Sequence, residues 1–308
     1  MTPQEALKAL EERATHLADV DYEEIKYLMR QGIKRIPIPV AKLHRGTLID
    51  RVRPNNDERL FTCLDDLTYI KKEKVIKDRL TEFGRGNCPY QPMFYGAVES
   101  SQVPYQRITA IAETSELYQD LNGVSIEGEL YTVSRWRNNE ELQIAEMVFS
   151  PEAIAANPDT AGAFEKQIGF LAGKAEENEA FLREFLIFIS RQFARKKNTH
   201  HDYKISAAYT NIVLMHPDIS GVAYPSVQTH YQGENLVLPP STVERALSLE
   251  GIITQRLHKK APYTHINNHM ECADPLRNPE NFTWVPTDPV HVSSADQIRT
   301  ALFRPEEQ

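Results

Sequence analysis

A chain of 308 residues with 41% hydrophobic and 25% charged side chains can bury a full core and reads as one domain with decorations. Its formal net charge of -8 argues against a surface that captures nucleic-acid phosphates by counterion release. Cys63, Cys88 and Cys272 lie too far apart to suggest a disulfide framework or a CxxC pair, and no apolar run has the length of a signal peptide or a membrane span, so a soluble cytoplasmic protein is expected.

Thr2-Pro3 reads as an N-cap and first helical position, and Leu7, Leu10, Ala14 and Leu17 follow at helical spacing. Asp21 caps a second expected helix carrying Ile25, Leu28 and Met29, which Gly32 ends. Pro37 and Pro39 mark a break, after which Leu43–Ile49 has the partial alternation of a strand. Residues 63–82 are mixed and charged. Gly84 to Pro92, with two Gly and two Pro, form a shaped loop that feeds a short buried strand over Met93–Val98.

A helix is expected over Ile108–Leu117, a strand over Glu129–Trp136, and helices over Ala161–Lys174 and Asn178–Lys197. Phe181, Leu182, Phe185, Ile189 and Phe193 form the core-facing stripe of the last of these. The basic run Arg191–Lys197 closes it, where cations complement the carbonyls at a helix C-terminus. Tyr203–Leu214 is a helix or a strand. Gly221–Val227 and Glu234–Leu238 flank a polar turn as a hairpin, and a capped helix from Thr242 leads into a segment rich in Pro, Asn and Asp.

The densest chemical signal is Gly84-Arg85-Gly86-Asn87-Cys88-Pro89-Tyr90-Gln91-Pro92-Met93-Phe94-Tyr95, followed by Ile111-Ala112-Glu113 and, much later, by Tyr224-Pro225-Ser226 and Gly233-Glu234-Asn235-Leu236-Val237-Leu238. In this order the segments resemble the RES family, whose pattern G-R-x-N-x-P-x-x-P-x-x-Y precedes a helix bearing a glutamate and a Y-P-S turn. The resemblance runs from Leu43 to about Pro240. An insertion containing Pro104 and Tyr105 separates Tyr95 from Glu113, so Glu99 and Glu116 are alternative carboxylates; Ile108, Ile111 and Ala112 around Glu113 match the family's helix, while Glu99 lies in a turn-like E-S-S-Q.

The resemblance implies an α+β fold with an ADP-ribosyltransferase-like mixed, mostly antiparallel split β core surrounded by helices. It divides the chain into an N-terminal helical extension (1–36), a catalytic RES domain (37–245) and a loop-rich C-terminal extension packed on the core (246–308). The implied substrate is NAD⁺, cleaved at the nicotinamide-ribose bond by hydrolysis or phosphorolysis, as in toxins held in check by a helix-turn-helix antitoxin. Alternatives are transfer of ADP-ribose to a protein or nucleic acid, and a non-catalytic NAD-sensing or partner-binding module. The extra length at both ends suggests surfaces for a regulatory partner or for self-association.

Breaking that bond creates an oxocarbenium-like ribosyl cation, which a carboxylate stabilises; Glu113 fits that role. Arg85 and Arg45 offer planar donor forks for the pyrophosphate, with Arg45 in L-H-R-G similar to the first-strand arginine of ADP-ribosyltransferases. Tyr95 is placed to stack on or beside the nicotinamide, and Ser226 to orient the glutamate or the ribose. Tyr69 and Tyr224 are weaker candidates, and Tyr224 is expected to pack beneath the site. His265, His269 and Cys272 in H-I-N-N-H-M-E-C have ligand-like spacing, but no fourth ligand is evident nearby and the NAD⁺ chemistry needs no metal, so none is expected. His200-His201 reads as a solvated helix cap. No GxGxxG or P-loop pattern supports a Rossmann or NTPase reading.

Overall fold

In the computed structural model, which describes residues 1–172, 179–196 and 198–303, Thr2 Oγ1 accepts from Glu5 N while the Glu5 carboxylate accepts from Thr2 N. This reciprocal capping box starts α1 (Pro3–Arg13). The Asp21 side chain caps α2 (Tyr22–Tyr27), and the backbone then widens into a π-helical turn over Leu28–Ile33. Gly32 therefore does not end the helix. A Cβ there would collide with Ala6, so this glycine lets α1 and the turn approach closely.

The strands are β1 (Val40–Leu43), β2 (Leu48–Pro54), β3 (Phe94–Val98), β4 (Val124–Asn138), β5 (Leu142–Glu146), β6 (Ile219–Pro225), β7 (Glu234–Leu238), β8 (Leu247–Lys260), β9 (Tyr263–Ala273) and β10 (Thr283–Pro286). The further helices are α3 (Glu73–Arg79), α4 (Gln106–Thr114), α5 (Glu116–Gln119), α6 (Pro151–Ala156), α7 (Pro158–Ala172), α8 (Glu179–Ala194), α9 (Lys204–Val213), α10 (Pro240–Ala246) and α11 (Ala295–Leu302). Tyr203–Leu214, open between helix and strand on sequence, is thus essentially α9. Gly173, Lys174, Asn178 and Lys197, at the ends of two expected helices, lie outside the described residues.

Among the described residues the strands form one ten-stranded sheet in the order β1-β5-β6-β7-β3-β2-β4-β8-β9-β10, antiparallel except for the β5–β6 pair. The protein is therefore a mixed α+β fold with a mostly antiparallel sheet. β1 and β2 stand five places apart in that order, about 24 Å at the usual strand spacing. Yet only His44 to Thr47 join them, a path of at most about 17 Å. The sheet must curl so that the β1–β5 pair returns toward the β2–β4 pair.

Two expectations are corrected. Leu43–Ile49 is not one strand: β1 stops at Leu43 and a turn intervenes, with Gly46 at φ +90°, a conformation glycine adopts without penalty. Nor is the C-terminal segment loop-rich. β8 pairs with β4 from Lys260 opposite Val124 to Leu247 opposite Asn138, and β9 and β10 extend the sheet beyond it.

Both terminal segments share cores with the middle of the chain. Leu10, Ile25 and Met29 pack with Phe185, Phe193, Tyr209 and Val237 in one cluster, while Leu249, Ile252, Cys272 and Phe282 join Phe94, Trp136 and Leu236 in another. Each such side chain contributes on the order of 1.5–3 kcal/mol by burial. No helix among the described residues is long and apolar enough to cross a membrane.

Candidate functional site

The glycine-rich segment forms a tight turn in which Gly84 N donates to Asn87 O at 3.0 Å and Asn87 N to Gly84 O at 3.4 Å. Its glycines are required by proximity. A Cβ on Gly84 would collide with Asn87 Oδ1, and one on Gly86 would lie 2.9 Å from Val237 Cγ1. Tyr95, on β3, props the turn from below: its hydroxyl accepts from Gly86 N at 2.9 Å and donates to Asn87 Oδ1 at 2.6 Å. Burial keeps this phenol protonated well above its ordinary range.

Above the turn lies a cleft of about 280 Å³ lined by Arg51, Arg85, Asn87, Tyr95, Glu113, Tyr203, Tyr224 and Asn235, among others. Arg85 is 8% exposed and donates from Nη1 to the carbonyls of Phe193 and Arg195, beyond which α8 has ended. Its guanidinium lies 5.2 Å from the Tyr203 ring centre and 5.6 Å from that of Tyr224. Tyr224 therefore lines the cleft, where it was expected only to pack beneath it.

The second arginine of the cleft is Arg51, on β2. Its Nη1 donates to Tyr95 O at 2.8 Å, its Cζ lies 5.2 Å from the Phe94 ring centre, and its Nε is buried with no hydrogen-bond partner among the described residues. The neighbouring Asp50 does not neutralise it, because that fully buried carboxylate is held by Arg135 through two 2.7 Å bonds. Burial first, and then the nearby Arg53, push Arg51 down to about 9. Among the described residues neither Arg51 nor Arg85 forms a salt bridge. Arg45, the expected partner of Arg85, is corrected: it is exposed in the turn between β1 and β2 and does not line the cleft.

Glu113 is the penultimate residue of α4, a helix whose Ala110 and Ile111 pack against Val52, Ala97 and Tyr131 of the sheet. Its Oε1 accepts from Ser226 Oγ at 2.6 Å and from Asn235 Nδ2 at 2.9 Å. Ser226 is fully buried just after β6 and does not line the cleft, so it meets the site through the glutamate. The hairpin that carries it is closed by Ser226 N donating to Gly233 O at 2.8 Å. Gly233 allows the hairpin to dock on α4, since a Cβ would collide with Thr109. Glu99 and Glu116, the alternative carboxylates, are exposed and line no part of the cleft.

The remaining candidates lie elsewhere. Tyr69 is buried and donates to Glu244 Oε1. His265, His269 and Cys272 fall on β9, where His265 Nε2 is 3.1 Å from Ser293 Oγ and Cys272 packs in the core; no group of three metal-ligating side chains is found among the described residues. His200 and His201 are half-buried in a 3₁₀ turn, with His200 stacked on Phe83, and are not a solvated cap. Sequence reasoning missed Arg51 and the cleft-facing roles of Asn87, Tyr203 and Asn235. The R-G-N and E-N-L-V-L segments carried two of these, but nothing in D-R-V-R marked Arg51 as unpaired. Compared with protein-family models and with curated proteins, the chain matches none.

Proposed function

We propose that this protein is a cytoplasmic NAD⁺-consuming enzyme of RES type, with an ADP-ribosyltransferase-like core, that breaks the nicotinamide-ribose bond and depletes NAD⁺ as a toxin or defence effector. The observation that carries the reading is the cleft itself, whose lining holds Glu113 and two arginines that form no salt bridge among the described residues. Such a site favours a ligand with negative charge at one end and developing positive charge at the other. At about 280 Å³ the cleft lies near the lower end of ligand-site volumes and suits one nucleoside half of a dinucleotide.

In this reading Arg51 and Arg85 bind the pyrophosphate and Glu113 accepts a hydrogen bond from the ribose. The C1′–N bond breaks with its electron pair leaving on nicotinamide, which becomes neutral. The carboxylate stabilises the ribosyl cation until water, losing a proton, or phosphate is added at C1′. Tyr95 holds the glycine-rich turn under Arg85, and Ser226 holds the glutamate. A protein antitoxin that covers the cleft would restrain the enzyme in the cell.

The test is product analysis of NAD⁺ incubated with purified protein, with and without phosphate. Release of nicotinamide together with ADP-ribose or its phosphorylated form is expected, and loss of that release in Glu113→Gln. NAD⁺ left intact under both conditions would overturn the reading. Label passing from NAD⁺ to a macromolecule would redirect it to ADP-ribosyl transfer.

A further inference from the structure

β7 is a central strand, paired with β3 on one side and β6 on the other, and three of its five residues are Leu236, Val237 and Leu238. Asn235 is out of place there. Asparagine is depleted in strands, and at 5% exposure its amide is costly unless hydrogen-bonded. That amide donates to the Glu113 carboxylate, reached across the space between β7 and α4.

The carboxylate has need of donors. It lies in the last turn of α4, where the carbonyl end of the helix dipole disfavours negative charge. Ser226 and Asn235 supply them, yet the two are not equivalent. A serine hydroxyl donates or accepts, whereas an amide nitrogen only donates. Both bonds fall on Oε1, and Oε2 takes no hydrogen bond from the described residues.

We infer that Asn235 is the positioning residue of the site: its amide commits Oε1 of Glu113 to the protein, which leaves Oε2 as the oxygen that meets the substrate. The inference rests on the nicotinamide-cleaving reading for its catalytic consequence, but the contact itself is independent of that reading.

Asn235→Leu keeps the shape and removes the donor, and Asn235→Asp replaces the donor with a second carboxylate. The kcat for NAD⁺ consumption is expected to fall about 30-fold in the first and at least about 100-fold in the second, as for loss of a bond to a charged group. The Kd for NAD⁺ should change less than about threefold, because binding is left to the arginines. A folded Asn235→Leu with kcat within threefold of wild type, or with kcat and Kd worsening in parallel, overturns the assignment. A merely structural role would lower the melting temperature without this split.

A spectroscopic measurement separates this inference from the parent reading. The side-chain amide resonances of Asn235, identified by their loss in Asn235→Leu, should move in Glu113→Gln. Unmoved resonances overturn the contact whatever the activity. Absence of NAD⁺ turnover in wild type with the shift intact would instead sink the nicotinamide-cleaving reading and leave the contact standing.

Discussion

The hydroxyl of Tyr95 bonds to Asn87 Oδ1 at 2.6 Å, so a residue of β3 sets the shape of the turn that presents Arg85. The tyrosine acts through the loop as well as by lining the cleft. Tyr95→Phe retains the ring but loses this bond and the one from Gly86 N. With about 1–3 kcal/mol lost from buried polar groups, kcat/KM for NAD⁺ is expected to fall about tenfold and the melting temperature by a few degrees. Steady-state kinetics and calorimetry check both.

Glu113→Gln keeps the size of the side chain and removes its charge. A loss of about 10²–10³ in kcat is expected, with NAD⁺ affinity nearly retained. Ser226→Ala, which removes one of the two bonds to Oε1, should cost about tenfold in kcat. If the glutamate variant bound NAD⁺ far more weakly but turned over normally, its role would be binding and not stabilisation of the cation.

The arginines divide differently. Arg51→Ala should weaken NAD⁺ binding by about 10–100-fold, because it removes a planar donor whose Nε has no hydrogen-bond partner among the described residues. Arg51→Lys should recover only part of the loss. Arg45→Ala, in its exposed turn, should bind within twofold of wild type. Calorimetric titration separates the two positions, and equal effects at both would place the anion elsewhere.

A pH dependence follows from Glu234, whose carboxyl is pushed up to about 8 by burial first and then by Glu146 and Asp159. The folded state then holds this proton more tightly than the unfolded chain, whose ordinary value is 4.5. Stability from this group is complete below about pH 4.5, falls as pH rises toward about 8, and is level above it. Glu234→Gln should therefore melt higher than wild type at pH 8 and differ little at pH 4.5. Parallel melting-temperature curves from pH 5 to 8.5 would contradict this.

Much of the candidate cleft was legible through the RES-like order of its segments, which are short and carry local constraints. Gly84-Arg85-Gly86-Asn87 declares a turn, and the hairpin around Ser226 declares itself by Pro225 and the apolar strand after it. Arg51 was hidden, since an arginine among alternating charges looks solvated until the chain shows that Asp50 is committed to Arg135. L-H-R-G drew attention instead because the alternation around it suggested a strand, and the positive φ of Gly46 cannot be read from apolar spacing. β9 was missed for a related reason. Its Asn267, Asn268 and His269 have poor strand propensity, and the pairing with β8 that overrides them is tertiary. The curl of the sheet was beyond reach because strand order is a non-local property.

The long β4–β8 ladder bears on any attempt to excise a minimal unit that contains the cleft. A fragment stopping near Ala246 would strip β4 of its neighbour from Val124 to Asn138 and leave Tyr131 and Val133 on an unpaired rim of backbone donors and acceptors. Such rims recruit other chains, so the fragment would be prone to self-adhesion and insolubility even with every residue of the cleft intact.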